Sequence, residues 1–159
     1  MAIQFEVEDG TYKADATSYV SVAEFLQYWE NRGKFYSDQP VATIQAKLNI
    51  ATQYIDNLHV YEGQKSTTTQ ALQFPRAEVI DRNGFDESGV VPTAVKWATC
   101  EAAAYEVDGN TLEEATELIE SKSMGPVSVR FGSRGQLPPK IGKAEKYLGD
   151  FVAQMRVGR

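Results

Sequence analysis

Val22, Phe25, Leu26 and Trp29 recur with the 3.6-residue period of a helix. Ser21 and Glu24 stand before and inside that run as a capping box, and Gly33 marks its end, so a first helix is expected from Ser21. A second should begin near Asp38 and Pro40, with Ile44, Leu48, Ala51, Ile55 and Leu58 on one face. Pro92 should open a third, with Val95, Ala98, Ala102 and Tyr105 on one face, Trp97, Ala104 and Val107 flanking them, and Gly109 as the stop. Thr111 and Glu114 repeat the capping pattern before Leu112, Ala115 and Ile119, which predicts a short fourth helix packed on the third as an antiparallel hairpin.

Two segments change period. Residues 3–8 alternate, with Ile3, Phe5 and Val7 on one side and Gln4, Glu6 and Glu8 on the other, closing at Asp9-Gly10; this reads as a short strand or extended arm, followed by a loop from Tyr12 to Tyr19. Val127 to Phe131 also alternate, bracketed by glycines and prolines, as expected of a strand or hairpin arm. Beyond Pro138-Pro139, Ile141, Ala144, Leu148, Phe151 and Met155 return to helical spacing, with Lys143, Lys146 and Arg156 largely on other faces. The expectation is a mostly α fold: a small bundle of four to five helices with a short β-strand or hairpin arm and a C-terminal helix. Residues 1–121 would be a helical core and residues 122–159 a basic arm plus helix, in the same domain or as an extension.

Between His59 and Gly89 no period survives. Loops of this length usually bind something or pack as a unit. Leu72, Phe74, Val79 and Ile80 should pin this one to the core, and Gln73, Phe74, Arg76 and Arg82 are its candidate interaction residues.

Charge alters the picture more than composition does. The 159 residues carry a formal charge of −6, but residues 1–121 hold eight Lys/Arg against twenty Asp/Glu, about −12, whereas residues 122–159 hold eight against Glu145 and Asp150, about +6. A basic tail on an acidic body can attract neighbouring copies or a shared partner. The plain alternative is that the tail packs on its own body. Arg130, Phe131, Arg134, Lys140, Lys143, Lys146, Arg156 and Arg159 are the candidate interface residues, and removing residues 122–159 should leave the remaining helices folded. An aromatic among these bases also suits single-stranded nucleic acid, although the acidic body would repel it.

The inventory for catalysis is thin: His59 is the only histidine and Cys100 the only cysteine. Cys100, in an alanine-rich helix, reads as a buried thiol, and His59 as a cation at a helix C-terminus. Asp81, Asn83, Asp86 and Glu87 crowd one loop without the spacing of a calcium site, and no phosphate-cradling glycine motif occurs. No enzyme activity, metal or cofactor is expected. The N-terminus carries no secretion signal and no apolar run is long enough to cross a bilayer, so folding in the cytoplasm without membrane contact is expected.

Several segments, taken in order, resemble a phage family often labelled DnaT-like single-stranded-DNA-binding. They are Val7-Glu8-Asp9-Gly10-Thr11, Ser18-Tyr19-Val20-Ser21-Val22-Ala23-Glu24, Gln70-Ala71-Leu72-Gln73-Phe74-Pro75-Arg76, Asp81-Arg82-Asn83-Gly84, Val91-Pro92-Thr93-Ala94-Val95-Lys96 and Gly125-Pro126-Val127-Ser128-Val129. The resemblance implies a structural protein of the virion neck, made in the host cytoplasm: a head-to-tail adaptor of a tailed phage. Such a protein would form a ring of its own copies, a dodecamer, between the portal protein and a stopper or tail-terminator protein, with genome DNA passing through the lumen unbound. The family label itself suggests the other function, a single-stranded-DNA-binding accessory protein.

Overall fold

The computed structural model describes residues 2–112, 122–124, 127–129 and 140–153. Four helices occur among them: α1 (Val22–Glu30), α2 (Val41–Leu58), α3 (Thr93–Val107) and α4 (Gly142–Leu148). Two antiparallel ladders accompany them, β1 (Gln64–Lys65) with β2 (Arg76–Ala77), and β3 (Lys122–Met124) with β4 (Val127–Val129). The mostly α reading with a short hairpin therefore holds. The expected helix over Leu112, Ala115 and Ile119 lies outside the described residues from position 113 onward.

Local chemistry sets the helix ends. The Ser21 hydroxyl accepts from the Glu24 N–H (3.1 Å) and the Glu24 carboxylate from the Ser21 N–H (2.8 Å), completing the capping box. Gly33 follows at φ +75°, a left-handed position that suits glycine. Pro40 and Pro92 are the N-caps of α2 and α3, one residue earlier than expected.

The third helix departs furthest from a one-faced pattern. Val95, Ala98, Thr99, Cys100, Glu101, Ala102, Ala103, Ala104 and Glu106 are all buried, because α3 runs through the middle of the protein with α2, α4 and α1 against it. Its alanines allow that close approach on several sides. Phe25, Ile44, Leu48, Ile55, Val95 and Leu148 have essentially no exposed surface and form the centre of the core.

The N-terminal segment forms no strand; it makes a single parallel bridge, Val7 to Ser18. Its alternation misassigned two side chains. Ile3 is exposed, while Glu8, expected outside, is fully buried. Its carboxylate accepts from the N–H groups of Gly10 (2.8 Å), Tyr12 (3.1 Å) and Lys13 (2.8 Å), which satisfies the buried charge and ties the following loop to it.

Candidate nucleic-acid interface

The C-terminal segment is built into the core. Ala144 and Leu148, one turn apart on α4, are buried against α3, and Phe151 packs edge-on to Phe74 with centroids 6.1 Å apart. The helix stops at Leu148 instead of continuing to Met155, which lies outside the described residues. Residues 151–153 then run extended against 60–62: Glu62 donates to the Phe151 carbonyl (2.8 Å) and Ala153 to that of Val60 (2.8 Å). This pairing satisfies backbone groups on both segments, as continued helix could not. His59 Nε2 meets the Glu145 carboxylate at 2.6 Å, and Arg82 Nε donates to Asp150 at 2.6 Å. Residues 140–153 thus fold back on their own chain. Of the two readings of the tail, packing on its own body describes this stretch, whose apolar side completes the core around α3.

Folding back leaves the cations outside. With Ala144 and Leu148 inward, Lys143 and Lys146 are exposed, half-buried Tyr147 lies against the edge of the core, and Lys140 is exposed just before the helix. Lys143 Nζ lies 3.9 Å from the Glu101 carboxylate and is two-thirds exposed. Arg130, Phe131, Arg134, Arg156 and Arg159 fall outside the described residues.

The central loop is internally braced. Phe74 is 1% exposed and Arg76 7%, so both face inward, contrary to their expected place on an interaction surface. Arg76 spreads its guanidinium over the chain it closes, donating to the carbonyls of Glu62 (2.7 Å), Tyr61 (3.3 Å), Gly63 (3.0 Å) and Gln73 (3.3 Å) and to the Gln73 side chain (2.8 Å). Burial lowers its pKa from the usual arginine value. The Asp56 carboxylate accepts from the Gln73 N–H (3.2 Å) and the Tyr19 hydroxyl, which in turn accepts from the Phe74 N–H (3.1 Å). Burial pushes the Asp56 carboxyl up to about 6, against the lowering effect of the Tyr19 bond. Gln73 is half-buried, and of the four loop candidates Arg82 alone is well exposed. Leu72 and Val79 pin the loop as expected, whereas Ile80 is exposed.

The crowded acids act locally. Asp81 accepts from the N–H groups of Asn83 (2.8 Å) and Phe85 (2.9 Å), and Asp86 from Ser88 (2.8 Å). These bonds lower both pKa values. Among the described residues no group of three or more His, Cys, Asp or Glu is placed to hold a metal ion. Cys100 is buried, and desolvation raises its thiol pKa.

Sequence reasoning missed an aromatic cluster where α1, α3 and α4 meet. Trp97 packs on Tyr147 with centroids 5.5 Å apart and planes at 61°. The Tyr147 and Tyr28 hydroxyls are 3.3 Å apart, and Tyr28 donates to Glu101 at 2.7 Å. The Arg32 guanidinium lies 3.5 Å from the Tyr28 ring centre and 6.0 Å from that of Trp97, anchored by donation to the Tyr28 carbonyl (2.9 Å). Lys96, beside Trp97, pairs with Glu24 at 3.2 Å. Two local signals were available: Tyr28 and Arg32, like Lys143 and Tyr147, stand four residues apart.

Four described helices around one core, carrying lysines on the outer flank of the last, define a small, mostly α protein with a basic C-terminal face. Residues 3–159 match the family described as "Putative DnaT-like ssDNA binding protein", and the chain belongs to that family. No curated protein and no solved structure matches it.

Proposed function

We propose that this chain is a non-enzymatic protein that binds single-stranded DNA. The observation that carries the reading is the family match over nearly the whole chain. The charge distribution is compatible with it: Lys140, Lys143 and Lys146 are exposed on the segment where positive charge concentrates, and phosphate contact needs clustered cations. The acidic remainder confines such contact to one face and keeps affinity modest.

A titration of a fluorescent oligothymidylate tests it. Three phosphate contacts on a single strand imply a loss of roughly twentyfold in affinity between about 50 and 200 mM salt. Absence of binding at the lower salt refutes the reading.

The second reading is the phage head-to-tail adaptor: a ring of this chain in the virion neck, seated on the portal protein and followed by a stopper or tail-terminator. Exposed apolar side chains favour it. Ile80 and Phe85 stand outward on a turn braced by Asp81, and Phe35 in the α1–α2 connection and Val41 at the start of α2 are exposed, surfaces suited to subunit contacts. Light scattering of the chain alone and mixed with a portal ring separates the two: a closed ring or a stable portal complex supports the adaptor, and a monomer that ignores the portal removes it.

A further inference from the structure

We propose that the junction of α1, α3 and α4 is the strand-binding site, where unpaired bases stack on Trp97 and Tyr147 and phosphates meet Arg32 and Lys143. The proposal rests on the single-strand reading above and gives it a location.

Three features set this junction apart. Trp97 is 41% exposed on a helix whose other side chains are mostly buried, so part of a large aromatic surface meets water while the rest packs on Tyr147. Its neighbours are fixed from beneath: Glu101, buried, holds the Tyr28 hydroxyl, and Tyr28 meets that of Tyr147. A base arriving at these rings therefore meets a surface already ordered, which lowers the entropic cost of association.

Cations complete the arrangement. Arg32 flanks Trp97 from the end of α1, and Lys143 stands one turn before Tyr147 on α4. Aromatic faces between positive groups fit the alternating bases and phosphates of a single strand, while a duplex hides its base faces. The 61° between the Trp97 and Tyr147 planes means that two bases on these rings cannot lie parallel, so the bound strand turns between them. Glu24 at the edge pairs with Lys96 at 3.2 Å, and buried Glu101 lies 3.9 Å from Lys143. Phosphate has to compete with these carboxylates, which makes binding weak and salt-sensitive.

The full chain contains two tryptophans, and the other, Trp29, is 8% exposed, so quenching of intrinsic fluorescence by unlabelled oligothymidylate reports on Trp97. The expected result is quenching by the single strand, little by a duplex of equal length, and loss of about tenfold or more in affinity for Trp97→Ala. Trp97→Phe should retain most of the affinity, and the pair Arg32→Gln with Lys143→Gln should weaken binding and flatten its salt dependence, with thermal melting of each variant showing that the fold persists. If the unaltered chain binds and Trp97→Ala binds equally well, the site is wrong and the single-strand reading survives. Equal binding of duplex and single strand overturns the stacking. If the unaltered chain binds nothing at low salt, both fall.

Discussion

Replacing Tyr19 by Phe removes one oxygen from a fully buried position and leaves the ring, which packs edge-on to Phe74 at 6.1 Å. The cost is therefore polar. The Asp56 carboxylate loses its hydroxyl donor, a charge-assisted bond worth about 1.5–3 kcal/mol, and the Phe74 N–H loses its acceptor, which costs about 1–3 kcal/mol when buried. At pH 7 the two together should destabilise the protein by about 3–5 kcal/mol. The pH dependence follows from Asp56. Its folded pKa of about 6 exceeds the 3.8 of a free aspartate, so between those values the folded chain binds more protons than the unfolded one. This group's contribution to stability consequently falls by about 3 kcal/mol as pH rises through that window. Asp9, Glu24, Asp81 and Asp86, with lowered pKa values, act in the opposite sense and at lower pH, losing their contribution as pH falls through their folded values. At pH 5 Asp56 is largely protonated and its bond to Tyr19 joins two neutral groups, so the penalty of Tyr19→Phe should shrink by about 1 kcal/mol. Urea unfolding followed by circular dichroism at both pH values measures this. A penalty under about 1 kcal/mol at pH 7, or one identical at the two pH values, would show that the Tyr19–Asp56 contact does not hold the central loop.

Other expected outcomes test the packing. Gly63→Ala places a Cβ 1.9 Å from the Ala77 carbonyl oxygen at a position with φ +69°; since both obstacles are backbone, a loss of about 2–4 kcal/mol is expected in the same assay. Leu148→Ala, at a site with no exposed surface, should cost about 2–5 kcal/mol, and a cost near zero would mean that α4 is not part of the core. Cys100 should resist a thiol reagent in the folded protein and react after denaturation, because its thiol is both buried and held protonated.

Helix positions were legible wherever a local signal sufficed. The capping box at Ser21 and Glu24, the prolines before α2 and α3, and the glycine at 33 each act within a few residues, and each marks its helix end to within a residue or two of where the sequence places it. Burial in segments without a period was not legible. Arg76 looks like a surface cation until the chain is seen to wrap around it, and Glu8 looks like the polar side of a strand until three N–H groups converge on it. The aromatic junction was hidden for a related reason: Tyr28, Trp97 and Tyr147 come from three helices, and only packing brings them together. The charge asymmetry was read correctly as a quantity, but charge alone does not choose between a neighbour's surface and the chain's own. The apolar positions of α4 chose.

That choice has a consequence for any partner. A basic tail lying free would spend its cations on the nearest acids, and the chain has twenty Asp/Glu in its first 121 residues to offer. Docking through Ala144, Leu148 and Phe151 fixes which acids can reach which bases: Glu145 goes to His59 and Asp150 to Arg82, while Lys143 reaches Glu101 only at 3.9 Å. The two acids of the tail are thereby taken up by His59 and Arg82 of the body, and the lysines of α4 remain on the outer flank. Core packing, not electrostatic attraction, keeps the positive face outward on a negative protein, so neutralising Glu145 or Asp150 should change stability more than it changes the affinity of that face for an anion.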